Sequence, residues 1–220
     1  MTDRKHEKHL AYYRMLEALQ TARRCVFCDL ECKGIAMYFG GLLYEKVNDP
    51  GVRAALLDSG GFCPRHAHML ANLGDGLGTA IFYADQVRLR REFLDHGIPL
   101  GHAWDRTDSA CPACQTEDRM RTLNTRTLLL GLQDQEMRDA LAASSGLCFP
   151  HFVVALKQAD DSEIAKDLIR MQKERLGSLS LQLQEFIGKY DYRRTDEEFN
   201  DERDSWLRAV EMVSGVKDVF

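Results

Sequence analysis

The cysteines and histidines of this chain form a pattern that occurs twice. The first copy reads Cys25-Val26-Phe27-Cys28, then 34 residues, then Cys63-Pro64-Arg65-His66. The second reads Cys111-Pro112-Ala113-Cys114, then 33 residues, then Cys148-Phe149-Pro150-His151. Each copy supplies three cysteines and one histidine in two close pairs, which is the ligand set of a four-coordinate metal site. Six of the seven cysteines are used in this way.

The likeness extends beyond the ligands. With residues 45–66 laid on 130–151, an offset of 85, eight positions coincide. They are Asp49/Asp134, Arg53/Arg138, Ala55/Ala140, Leu56/Leu141, Ser59/Ser144, Gly61/Gly146, Cys63/Cys148 and His66/His151. The CxxC pairs align at an offset of 86, so one residue separates the two registers. A fixed period of this length marks a duplicated structural unit. The expected organisation is an N-terminal helix over 1–24, repeat one over 25–95 and a connecting loop over 96–110. Repeat two with a long helix then covers 111–190, and a charged segment with a terminal helix covers 191–220.

Composition narrows the class. At 220 residues, with 45% apolar and 29% charged residues, the chain reads as an ordinary soluble globular protein. A net charge of −5 argues against nucleic acid or an anionic membrane as partner, because both call for a basic face. No apolar run approaches the roughly 18 residues of a membrane-spanning helix. Met1–His9 is charged and lacks a signal-peptide core, so the expected compartment is the cytoplasm. Thiols stay reduced there, and closely paired cysteines read as metal ligands before disulfides.

Helical signals run along the whole chain, and no segment shows a strand pattern; the fold class is all-α. A helix is expected over 5–24 with Leu10, Tyr13, Leu16, Leu19 and Ala22 as its apolar stripe. His6 and His9 lie at its solvated start. An apolar helix follows over 33–47, interrupted by Gly40-Gly41, which either weaken it or permit close packing. Asp49-Pro50 starts a helix over 50–58, and Ser59-Gly60-Gly61 ends it. Cys63-Pro64-Arg65-His66 opens the next, to about Leu73, and Gly74–Thr79 makes a helix–helix turn before 79–95. His102 and Trp104 fall in the connecting loop. Repeat two gives helices at 111–132 and 135–143 and another from Phe149. Asp161-Ser162 caps a long helix to about 189, with Ile164, Leu168, Met171, Leu176, Leu179, Leu183 and Phe186 as its stripe. Core packing is the expected role of that stripe, and pairing as a homodimer is the other. The charged stretch 191–204 is expected to be mobile, and a last helix covers 205–213. Asp49 with Arg53, and Asp134 with Arg138, are expected to form helix-start ion pairs, the other reading being that they line a shared pocket between the repeats.

A CxxH or CxxC at a helix start holds both ligands within one turn, and the helix amino end favours thiolate over thiol. The expected pairing is within each repeat: Cys25, Cys28, Cys63 and His66 on one ion, and Cys111, Cys114, Cys148 and His151 on the other. Each metal then joins two helix starts some 35 residues apart. An exchanged arrangement, with CxxC from one repeat and CxxH from the other, stays open. Four protein ligands close a zinc site, so two structural Zn2+ per chain is the leading reading. An iron–sulfur cluster is the alternative, with Cys32 as an extra thiolate and His68 beside it near the first site.

The run Cys111-Pro112-Ala113-Cys114, the stretch Asp49-Pro50-Gly51-Val52-Arg53-Ala54-Ala55-Leu56 and the two Gly-x-Cys-x-x-His ends resemble a family of uncharacterised prokaryotic proteins with paired CPxC…SGGFCxxH units. The resemblance covers about residues 25–151 and implies a metal site without a reaction. No nucleophile–base–acid constellation reads out of the remaining residues, so whether the chain is an enzyme stays open. Two function classes remain: a zinc-stabilised module that binds a protein or small ligand, and a redox or metalloenzyme acting near Cys32 and His68.

Overall fold

The computed structural model describes residues 9–97, 111–194 and 197–219. Among these, the chain is helical and carries no strand. Ten α-helices follow in order: α1 Leu10–Thr21, α2 Val26–Gly41, α3 Pro50–Asp58, α4 Pro64–Asn72, α5 Gly76–His96, α6 Pro112–Gly131, α7 Gln135–Ala143, α8 Phe149–Gln158, α9 Ser162–Gly188 and α10 Ser205–Ser214. His6, His102, Trp104 and most of the loop at 96–110 lie outside the described residues.

The helix ends follow from local chemistry. The Asp49 carboxylate accepts from the N–H groups of Gly51 and Val52, with Pro50 in the first turn of α3. Asp161 caps α9 in the same way through Glu163. Gly60 and Gly61 then end the α3 segment with φ of 72° and 92°, a region that favours glycine. After Gly40-Gly41, α2 widens into a π-helical turn at Leu42–Lys46. No atom lies within 4 Å of where a Cβ would stand on either glycine, so they weaken the helix and do not serve close packing.

Two compact units result, and they cut across the sequence repeats at 25–95 and 111–190. The first comprises Met1–Leu30 with Thr122–Phe220, and the second comprises Glu31–Arg121. Each unit therefore takes its CxxC from one repeat and the helix–turn–CxxH segment from the other.

In the first unit α1 packs on α7, and α8, α9 and α10 pack on one another. The buried stripe of α1 is Tyr12, Met15, Leu16 and Leu19, while Leu10 and Tyr13 are exposed. The Tyr12 hydroxyl, 3.3 Å from the Glu136 carboxylate of α7, belongs to the buried face. On α9, Ile164, Leu168, Met171 and Leu179 are buried, and Leu176, Leu183 and Phe186 are half-buried. The segment after α9 is tied down by Lys189, whose ammonium donates to the Glu202 carboxylate at 2.7 Å and to the Glu198 carbonyl at 2.6 Å. Phe199 packs against Phe186 and Tyr190.

In the second unit α5 packs on α3, α4 and the π-helical turn. Its core joins Ile35, Phe39, Leu42, Leu56, Phe62, Leu70 and Phe82 to Cys63, Cys111 and Cys114. Arg53 pairs with Asp85 of α5 at 2.6 Å, and Arg138 donates to the Leu132 carbonyl. The expected Asp49–Arg53 and Asp134–Arg138 ion pairs therefore do not form. Asp49 is engaged at its own helix cap, and each arginine finds a partner outside its helix.

Candidate metal centres

All four ligand pairs are built in one way. The first residue of each pair stands just before a helix, and its carbonyl accepts the first helical N–H. Asp29 donates to Cys25, Ala67 to Cys63, Gln115 to Cys111 and Phe152 to Cys148, at 3.1, 2.8, 3.1 and 2.8 Å. The second ligand follows one turn later on the same helix face. Cys63 and Cys148 share nearly the same backbone, φ −64° and ψ 164° against φ −64° and ψ 160°. The duplicated residues upstream explain this. The hydroxyls of Ser59 and Ser144 donate to the carbonyls of Leu56 and Leu141, and Gly61 and Gly146 both have positive φ.

The eight ligands gather into two groups, and the pairing crosses the repeats. Cys25, Cys28, Cys148 and His151 form the first centre; Cys63, His66, Cys111 and Cys114 form the second. Pairing within a repeat is thereby replaced by the exchanged arrangement. Each centre lies wholly within one compact unit. The helix starts that meet at the first centre are 120 residues apart between Cys28 and Cys148. All eight side chains are buried, and within each group the donor atoms lie within 4.8 Å of one another.

The spacing within each group fits a single ion. With metal–sulfur bonds of about 2.3 Å and metal–nitrogen bonds of about 2.0 Å, a tetrahedron has S···S edges near 3.8 Å and S···N edges near 3.5 Å. In the first centre Cys28 and Cys148 sulfurs are 3.7 Å apart, and His151 Nδ1 is 3.4, 3.5 and 3.3 Å from Cys25, Cys28 and Cys148. In the second, Cys63 and Cys114 sulfurs are 3.7 Å apart, and His66 Nδ1 is 3.3, 3.7 and 3.3 Å from Cys63, Cys111 and Cys114.

The electrostatics agree. Hydrogen bonding to Cys148 and Cys25, with burial, pushes the Cys28 thiol far above its ordinary range. Burial opposes ionisation of Cys25, yet hydrogen bonds from Cys148, Cys28 and His151 hold it far below that range. Burial first, then Cys111 and Cys63, raises Cys114. Without a cation the cages thus favour few thiolates; a divalent ion compensates several at once.

The model of a family of unknown function, DUF6062, matches residues 7–219. The chain belongs to the DUF6062 family. Over 198 residues it is 27% identical to an uncharacterised 23.9 kDa protein in the xynA 3′ region of Caldicellulosiruptor sp. strain Rt8B.4, covering 88% of this chain and 96% of that one. No solved structure matches it.

Around the second centre this DUF6062 chain builds a buried charged shell. The Glu117 carboxylate lies 3.9 Å from His66 Nε2, the ring nitrogen remote from the sulfurs. Arg65 grips Glu117 with two hydrogen bonds, at 3.0 and 2.5 Å. Arg121 donates twice to Glu31, at 3.1 and 2.8 Å, and approaches Glu117 at 3.9 Å. At 3.9 Å the Glu117 carboxylate makes no hydrogen bond to His66 Nε2 and acts on the ring through its charge. Glu31 and Glu117 each stand three residues after a CxxC and are buried. The offset of 86 aligns them, so CxxCxxE was legible in the sequence.

Two other candidates fall away from the centres. Cys32 is half-buried and belongs to neither ligand group. His68 is exposed on α4, because it sits two residues past His66 and so on another helix face. Among the described residues no helix is long and apolar enough to cross a membrane.

Proposed function

We propose that this chain is a zinc-stabilised helical binding module, in which one Zn2+ closes each compact unit. The observation that carries this reading is the close set of donor atoms: each imidazole nitrogen lies 3.3–3.7 Å from its three sulfurs, one sulfur pair in each centre is 3.7 Å apart, and all donors lie within 4.8 Å of one another. Sulfurs in contact at that distance share one ion. The ligands of a multi-iron cluster are bound to different irons and stand further apart. Three sulfurs and one imidazole suit zinc, and four protein donors leave no position for substrate, which supports a structural role. Buried thiolates of this kind suit the reducing cytoplasm.

Elemental analysis of protein purified without oxygen tests this, with close to two zincs per chain and no visible colour as the expected result. Paired substitutions test the exchange. Cys25→Ser with His151→Ala removes two ligands of one centre and should leave one zinc. Cys25→Ser with His66→Ala strikes both centres and should leave none. Iron with strong visible absorbance, or the reverse pattern of losses, would overturn the assignment.

A further inference from the structure

The first unit contains a cavity of about 230 Å³ whose wall includes the Cys25 and Cys148 side of its metal centre. Four arginines also line it: Arg23, Arg24, Arg175 and Arg208. Two of them are matched by carboxylates. Arg24 pairs with Asp29 at 2.6 Å and approaches Glu211 at 3.9 Å, and Arg208 pairs with Asp204 at 2.7 Å. The other two are not. Among the described residues no carboxylate lies within ion-pair distance of Arg23 or Arg175.

Arg175 is held in place by its backbone surroundings. Its Nη2 donates to the carbonyls of Leu141, Ala142 and Ser144, at the carboxyl end of α7. Its guanidinium lies against Gly146, where a Cβ would come within 2.5 Å of Nε. Those contacts occupy one nitrogen; Nε and Nη1 make no hydrogen bond among the described residues. Helix capping alone would account for Nη2, but it leaves this second edge of the fork unused. Ser145 and Ser178 add two lining hydroxyls with no protein partner among the described residues.

The repeat sharpens the contrast. Arg23-Arg24 precede the CxxC of repeat one, while Ser109-Ala110 hold the matching places in repeat two. Arg23 and Arg24 therefore have no counterpart in repeat two and are not part of the duplicated unit. A divalent ion with three thiolates leaves one negative charge, and a single guanidinium would balance it. With Glu211 counted beside Asp29 and Asp204, the local charge is balanced overall, but Arg23 and Arg175 still have no carboxylate of their own within ion-pair distance among the described residues.

We propose that this cavity binds the phosphoryl group of a small molecule, with Arg175 and Arg23 as its anion-holding residues. A guanidinium edge can take two oxygens in a fork, and a neighbouring hydroxyl can take the third. A carboxylate offers only two. The volume suits a phosphoryl group carried by a small molecule. The site does not depend on which metal fills the centre beside it.

Calorimetric titration of the metal-loaded full chain with inorganic phosphate tests this, with acetate as control at matched ionic strength. The expected result is one saturable phosphate site per chain, with acetate at least tenfold weaker. Arg23→Ala and Arg175→Lys should each weaken phosphate at least tenfold. Arg23 is exposed and unpaired, so its substitution leaves the fold and the metal content unchanged, and metal analysis of the same samples checks that. No saturable phosphate binding, equal binding of acetate, or wild-type affinity in both variants would each overturn the proposal. With two metals retained, any of those results leaves the zinc reading standing.

Discussion

Ligands were the most legible residues in this chain, because cysteine and histidine at CxxC and CxxH spacing have few other uses in a reducing environment. Their pairing was not legible. Proximity in sequence favours joining Cys28 to Cys63, whereas the fold joins Cys28 to Cys148. Nothing in the spacing records that choice, since all four ligand pairs present the same helix-start geometry. The charged shell was half legible: CxxCxxE repeats, but Arg121 has no counterpart in repeat one, where Ile35 stands. That arginine carries the clearest prediction at this scale. Glu31 is fully buried, and the Arg121 guanidinium forks onto its carboxylate. Arg121→Met removes that fork from a buried carboxylate and should destabilise the metal-loaded protein by about 3–5 kcal/mol. Adding Glu31→Leu removes the stranded charge and should recover most of the loss. Denaturant unfolding of the two variants measures both steps. Equal destabilisation of single and double variants would mean that the pair does not act as a unit.

Helices were readable where local chemistry marks their ends. Asp49-Pro50 and Gly60-Gly61 bracket α3 at the expected 50–58, and the expected 135–143 is α7. Faces were less readable. The stripe chosen for α1 included Leu10 and Tyr13, but the side chain that reaches α7 is Tyr12, an amphipathic residue whose apolar body is buried while its hydroxyl meets Glu136. Likewise, charge density after α9 suggested mobility, yet Lys189 and Glu202 meet there as a pair with little exposure. The hydrogen bond from Lys189 holds the Glu202 carboxyl down to about 2, from an ordinary value of 4.5. A carboxyl depressed on folding stabilises the protein above its unfolded value, and that contribution is lost as pH falls through the folded value. The stability gap between wild type and Glu202→Gln should therefore be constant from pH 7 to about 5. It should then shrink steadily as pH falls from 4.5 towards 2. Comparing the two proteins cancels the acid loss of metal that both share. A gap that stays constant across this range would show that the pair does not form.

For the whole molecule, the consequence of the exchange is that each compact unit contains one complete centre. Had pairing followed the repeats, each ion would have joined residues of both units. Because it does not, damage to one centre should stay in one unit. On the zinc reading, losing one ion is enough to open the segment around it, because structural zinc in small domains contributes on the order of 10–16 kcal/mol of apparent folding free energy. Cys63→Ser breaks the second centre, and its sulfur also belongs to the core around Phe39 and Phe62. Amide exchange should then rise across Glu31–Arg121, while α8 and α9 keep their protection. Cys148→Ser should give the mirror result, with exchange rising in α7, α8 and the start of α2 and protection kept in α3 and α5. Hydrogen exchange read by mass spectrometry resolves these segments. The decisive peptide contains Cys25 and Cys28: ligand pairing within each repeat would loosen it in Cys63→Ser, and the observed arrangement leaves it protected there. Loosening of that peptide by Cys63→Ser, or uniform loss of protection in either variant, would refute the view that each unit is closed by its own metal.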